Sequence, residues 1–222
     1  MNEEQPKSGG WLLPVSIVIA GLMIAGSVYY VGRQSVAQKP STTSDGNRDA
    51  VLGNLEAPVT FIEYGDYQCP FCGRFFHQVE PPLREEYIKT GKVKMVFRNF
   101  QILGDESTAA GAASECAKDQ GKFWQYHDAL YTAETADGKE NNGNLNRDLF
   151  LMLGQNLGLD MTSFTACLDA NKYGDLVIKE TNAGKTMGLD GTPTSFINGE
   201  KVAGSQPYSV FKTVIDIALQ KK

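Results

Sequence analysis

Phe61-Ile62-Glu63-Tyr64-Gly65-Asp66-Tyr67-Gln68-Cys69-Pro70-Phe71-Cys72 is the stretch whose reading decides the fold. Its first half continues an apolar, β-favouring run from Val59 to Tyr64, broken by a single acid, and so predicts a buried strand. A short loop follows, and Cys69-Pro70-Phe71-Cys72 then opens a segment of helical character running to about Glu80. Proline suits a first helical position because it has no amide hydrogen to leave unpaired and its φ is already helical. Cys69 is thereby placed at a helix N-terminus, where free amides and the helix dipole favour a thiolate over a thiol. Low-pKa thiolates are the attacking and leaving groups of thiol–disulfide exchange. Cys72, three residues on, lies within bonding reach. The pair reads as a redox-active dithiol.

Two distant stretches extend the pattern. One is Gly191-Thr192-Pro193-Thr194-Ser195-Phe196-Ile197-Asn198-Gly199, and the other is Gln120-Gly121-Lys122-Phe123-Trp124-Gln125-Tyr126-His127-Asp128. With the strand, Glu63, five residues, CPxC and helix, they resemble the thioredoxin superfamily, specifically the DsbA-like thiol–disulfide oxidoreductases. The resemblance runs from residue 59 to 199. It implies an α/β thioredoxin fold carrying an inserted all-helical domain, with Pro193 as a cis-proline facing the disulfide. It implies that the backbone of Thr192 is open to pairing with a substrate strand. It also implies that Glu63 exchanges protons with Cys72, and that no cofactor or metal takes part.

Outward from the dithiol, the rest of the chain falls into place. Pro81-Pro82 must kink or break the first helix, and a helical pattern resumes over Leu83–Thr90 until Gly91 ends it. Lys92–Asn99 alternates as a strand and, following a helix, is expected parallel to the first one. From about 105 to 187 the pattern is helical only: Ser107–Lys118, Lys122–Thr132, Arg147–Asn156 capped by Asn146, Met161–Leu168 capped by Asp160, and Tyr173–Met187. Thr194–Ile197 and Lys201–Ala203 flank Asn198-Gly199, a strong hairpin signal. Tyr208–Leu219 closes the chain as an amphipathic helix with Val210, Val214, Ile217 and Ala218 expected on its buried face. Ala50–Gly53 is read as a short strand or the lead-in to one.

Before this domain, residues 1–10 form a polar tail and residues 11–31 an uncharged apolar stretch of bilayer-spanning length. Trp11 and Tyr29-Tyr30 suit the two membrane interfaces. The stretch is read as a transmembrane anchor. A signal peptide cut near Ser35-Val36-Ala37 is the alternative. Residues 32–48 are a flexible linker, rich in Ser, Thr, Gln and Gly, and 49–222 is the thioredoxin-like domain. A stable oxidising role needs an extracytoplasmic compartment, so the expected location is the cell membrane, single-pass, with the catalytic domain outside.

Each candidate residue follows from its chemistry. Cys69 is the nucleophile, because CxxC sites at helix termini have pKa values lowered to about 3.5–7.5, and Cys72, deeper in the helix, resolves the mixed disulfide. Pro70 and Phe71 tune the potential, and Phe71 has no hydrogen bond to offer the sulfur. Glu63, on an apolar strand, would be desolvated and hold its proton. Cys116 and Cys167 lie on predicted helices of the insertion. An even cysteine count in an exported domain favours a structural disulfide between them, with buried free thiols as the alternative. His77 and His127 lack ligand partners at useful spacing and read as surface or packing residues. Phe123, Trp124 and Tyr126 read as core of the insertion.

Composition narrows the function. Over 222 residues, 41% hydrophobic and 21% charged content describe a globular protein, and a net charge of −5 gives no reason to expect nucleic acid. Four cysteines without a second CxxC argue against a zinc ribbon. The leading expectation is an oxidase that donates the Cys69–Cys72 disulfide to cysteine-containing exported proteins, reoxidised by a quinone-linked membrane partner. A reductase or isomerase on the same fold is the nearest alternative. A non-catalytic binding or chaperone module is the contrasting class, and a pure binder would need no paired thiols.

Overall fold

The computed structural model describes residues 49–134 and 139–221. The expected tail, membrane span and linker therefore lie outside the described residues. No helix among the described residues is long and apolar enough to cross a membrane.

A five-stranded sheet organises the domain, in the spatial order β1-β3-β2-β4-β5. The strands are β1 (Ala50–Leu52), β2 (Val59–Gly65), β3 (Val93–Asn99), β4 (Thr194–Ile197) and β5 (Glu200–Ala203). Central β2 runs parallel to β3 and antiparallel to β4. The parallel pair is connected through α1 (Pro70–Gln78) and α2 (Glu80–Leu83), as a crossover requires. The first helix stops at Gln78, Val79 intervenes, and the two prolines sit at the start of the next turn, where their missing amides cost least. A wider, π-type turn over Arg84–Ile88 then replaces the regular helix that the sequence suggests. Asn198 and Gly199 both take positive φ (47° and 91°), the geometry a two-residue hairpin loop needs.

The insertion comprises α3 (Asp105–Lys118), α4 (Phe123–Glu134), α5 (Arg147–Asn156), α6 (Met161–Asp169) and α7 (Gly174–Thr186). Asn146 and Asp160 cap α5 and α6, accepting from the amides of Leu149 and Ser163. Cys116 on α3 and Cys167 on α6 are joined by a disulfide.

Alternation along β2 sends Phe61 and Glu63 to one face of the sheet and Ile62 and Tyr64 to the other. On the first face Phe61, Phe75 and Phe211 meet with ring centroids 5.3–6.0 Å apart. Burying each ring contributes about 1.5–3 kcal/mol. Phe211 belongs to the closing helix α8 (Tyr208–Gln220), whose buried residues are Phe211 and Ile215. This corrects the expected face: Val210 and Ile217 are exposed, and Val214 and Ala218 are only partly buried. Two stripes compete on that helix, and the one holding the large aromatic ring docks. Another core runs from Cys69 and Cys72 through Phe97 and Tyr67 into the insertion as far as Phe164 and Cys167. The sulfurs and the helical block thus share one interior.

Candidate active site

Cys69 is the N-cap residue of α1, with Pro70 first in the helix. The loop that delivers it is held from several sides. Asp66 is fully buried and accepts from the amides of Gln68, Ile102 and Leu103 and from the Ser107 hydroxyl, at 2.6–2.9 Å. Tyr67 donates its amide to Gln101, and the Tyr131 hydroxyl donates to the Asp66 carbonyl. The Gln68 side chain reaches Ser107 and accepts from the amide of Asn141.

The two sulfurs are both free thiols and differ in environment. Cys69 retains 7% of its surface and Cys72 none, so a partner meets only Cys69. A hydrogen bond from the Cys72 thiol is the largest influence bringing Cys69 down from 9.0 to about 6. Burial opposes it, while Thr192 and the amides of Cys72 and Phe71 assist. Burial first, then the neighbouring Cys69 and Glu63, pushes Cys72 well above its ordinary value. One sulfur is a ready thiolate and leaving group. The other keeps its proton.

The Cys69 sulfur lies 3.4 Å from the carbonyl oxygen of Thr192. The Thr192–Pro193 peptide bond is cis, and Pro193 is buried beside the sulfurs' loop. A cavity of about 240 Å³ opens at Cys69, lined by Gln68, Pro70, Gly73, Arg74, His77 and Glu134. Phe71 is 55% exposed, with the guanidinium of Arg74, a lining residue of that cavity, 5.0 Å from its ring centre. The Phe71 side chain therefore offers apolar surface to a partner, and only its backbone amide reaches the sulfur.

Glu63 is completely buried, and neither carboxylate oxygen has a hydrogen-bond partner among the described residues. It faces Ser195 across the β2–β4 ladder. Desolvation first, and then the charge of Glu80, push its pKa well above the usual carboxylate range. A neutral acid behind a sulfur that must be protonated is a proton donor in waiting.

Of its two expected roles, surface or packing, His127 takes the second. It is fully buried in an aromatic cage that includes Phe97 and Tyr131, at centroid distances of 4.8 and 4.9 Å. Its Nε2 lies 3.3 Å from Glu80 and its Nδ1 3.3 Å from the Tyr67 hydroxyl. Glu80, His127 and Asp128 bring ligand-type atoms together. The Arg84 guanidinium already bonds both carboxylates, which makes this an ion-pair cluster and not a vacant cation site. Sequence reading missed Asp66, Glu80, Arg84 and His127 as parts of the site. The only local sign was the Glu80/Arg84 spacing of four, which puts an acid and a base on one helical face.

Comparisons with known proteins agree with this geometry. A family model described as thioredoxin matches residues 45–217. A probable disulfide bond formation protein D of Bacillus anthracis is 29% identical over 221 residues, covering 97% of this chain and 100% of that one. The disulfide bond formation protein D of Bacillus subtilis is 28% identical over 194 residues, covering 86% and 84%. The crystal structure of oxidised BdbD from Bacillus subtilis aligns with a TM-score of 0.71 at 28% identity, covering 78% of this chain and 93% of that one.

Proposed function

Because the chain belongs to the thioredoxin family, we propose that Cys69 and Cys72 are its redox centre, cycling between the dithiol described above and a disulfide. The chain is a DsbA-like thiol–disulfide oxidase, in keeping with its relatives. In the oxidised form a substrate thiolate attacks Cys69 Sγ, the accessible sulfur. The Cys69–Cys72 bond breaks and its electron pair goes to Cys72 Sγ, which takes the proton of Glu63. A second substrate thiolate then attacks the substrate sulfur of the mixed disulfide, and Cys69 departs as a thiolate. Two electrons pass from the substrate dithiol to the enzyme, and one substrate disulfide is made.

Stabilising the Cys69 thiolate stabilises the reduced enzyme and so makes the disulfide more oxidising. The observation that carries the reading is the placement of Cys69 at the N-terminus of α1, more accessible than Cys72 and 3.4 Å from the Thr192 carbonyl that precedes the cis-proline, where its pKa is lowered to about 6. The Thr192 backbone beside the sulfur is where an extended substrate segment would pair. Phe71 and the cavity at Cys69 would then receive its side chains. The substrates on this reading are cysteine-containing exported proteins. A quinone-linked membrane partner would restore the disulfide, taking up the two electrons. Residues 11–31 would anchor the chain, with the catalytic domain on the extracytoplasmic side of the cell membrane. The Cys116–Cys167 disulfide supports that side, since such bonds persist in oxidising compartments.

The deciding experiment is the reduction potential of the Cys69–Cys72 couple, equilibrated against glutathione with Cys69→Ser as the blank. A value near about −120 mV is expected of a disulfide donor, whereas one near about −270 mV would make the protein a reductase. Exchange that survives in Cys69→Ser would overturn the site assignment.

A further inference from the structure

Glu63 is not the only buried acid behind the sulfurs. Glu80 is 1% exposed, and its two oxygens are treated very differently from those of Glu63. Oε2 accepts from Arg84 at 2.5 Å, and Oε1 lies 3.3 Å from His127 Nε2. Arg84 also holds Asp128 through two bonds of 2.7 Å. This chain of contacts starts in an open hollow of about 570 Å³ that Arg84 and Asp128 line. It ends at Tyr67, two residues before Cys69, through the His127 ring.

Glu63 lies beside Phe97 across the β2–β3 pair, the Phe97 ring packs 4.8 Å from His127, and His127 contacts Glu80, so the two acids share one interior. Two carboxyl groups in one poorly polarisable interior cannot both ionise cheaply, and environment decides which keeps the proton. Glu80 has the guanidinium and the imidazole to stabilise its anion, and against the burial that would raise it, these hold its pKa below the usual value. Glu63 has no such partner. The groups acting on Glu63 are Glu80 and Arg84 from the turn after α1 and Cys69 from α1 itself. Glu63 in turn acts on Cys72, Tyr67 and Tyr131, all kept neutral by burial. The charges of Glu80 and Arg84 bear on Glu63 with opposite sign.

We propose that Glu80 is a positioning residue for the redox step: its anion, counterbalanced by Arg84, keeps the proton on Glu63 for delivery to Cys72. The inference rests on the reading of Glu63 as the proton donor. When Cys72 leaves as a thiolate, the Glu63 proton transfers to Cys72 Sγ and a second carboxylate appears beside Glu80. Repulsion from Glu80 then favours return of a proton from solvent water to Glu63, which completes the balance. The ion pair in the hollow sets the pH range over which the sulfur site works, without touching substrate or sulfur.

The test uses the reduced full chain, followed by infrared spectroscopy of the buried carboxylic C=O stretch as pH is raised. Glu63→Gln is expected to abolish the band. Glu80→Gln is expected to lower its midpoint, and Arg84→Gln to raise it, each by about one pH unit. A purely structural role would move both variants the same way, so the opposite signs are the diagnostic. If Arg84→Gln does not fold, Arg84→Met replaces it: it removes the same charge, keeps more of the side-chain volume, and should likewise raise the midpoint. A band that survives Glu63→Gln overturns the Glu63 reading, and this inference with it. A band that Glu63→Gln removes, but that the other variants leave unmoved or shift with the wrong sign, overturns this inference alone.

Discussion

Cys69 and Cys72 are three residues apart on one turn, yet the fold drives their acidities in opposite directions. Position explains it. Cys69 caps the helix and receives amide and thiol hydrogen bonds, whereas Cys72 has no exposed surface and lies within the electrostatic reach of Cys69 and Glu63. Hydrogen bonds to a charged group contribute about 1.5–3 kcal/mol, or about one to two pH units. Removing the main donor with Cys72→Ala should therefore raise the Cys69 midpoint above its value of about 6 by about that much, read from thiolate absorbance against pH. The sign for stability follows. A folded pKa below the unfolded one stabilises the reduced protein fully above the unfolded value. That stabilisation is lost as pH falls through the folded value. The reduced form should thus gain stability over the oxidised form from about pH 6 to about pH 9, measured by denaturant titration of both.

At the scale of elements, the helical insertion is fastened to the sheet domain by a shared core and fastened to itself by Cys116–Cys167. That bond closes a loop of 51 residues, for which loop entropy suggests about 4 kcal/mol. Replacing both cysteines by alanine should lower unfolding stability by about that amount in urea, while the Cys69 midpoint stays at about 6. Much of this level could be read in the sequence, because its signals are local. Asn146 and Asp160 announce helix starts, Asn198-Gly199 announces the hairpin, and Pro81-Pro82 announces the break. Glu63 and Cys69 could be paired by spacing. The Glu80–His127 contact could not, since it joins residues 47 apart whose approach depends on how α4 settles on the sheet. Nor could the buried face of α8, where both apolar stripes are plausible until Phe61 and Phe75 select Phe211. Asp66 was illegible for a related reason: the three amides and one hydroxyl it accepts from come from three separate segments.

At the scale of the whole molecule, the anchored reading makes a separate prediction. The full chain should fractionate with membranes, and a membrane-impermeant thiol reagent should label Cys69 in intact cells. Deleting residues 1–40 should release the protein while leaving the potential of the Cys69–Cys72 couple unchanged. Recovery of the native protein in soluble form, with a new N-terminus after about residue 37, would instead indicate a cleaved signal. A further property follows from the ends of the sheet. The outermost strands are three and four residues long, and β5 turns Glu200 and Lys201 to solvent. Long bare strand edges template the addition of foreign chain, and a thiol–disulfide oxidase works on polypeptides whose cysteines are still unpaired. With margins this short, and one of them charged, such clients find little backbone to copy, and the protein can handle aggregation-prone company without being recruited into the aggregate.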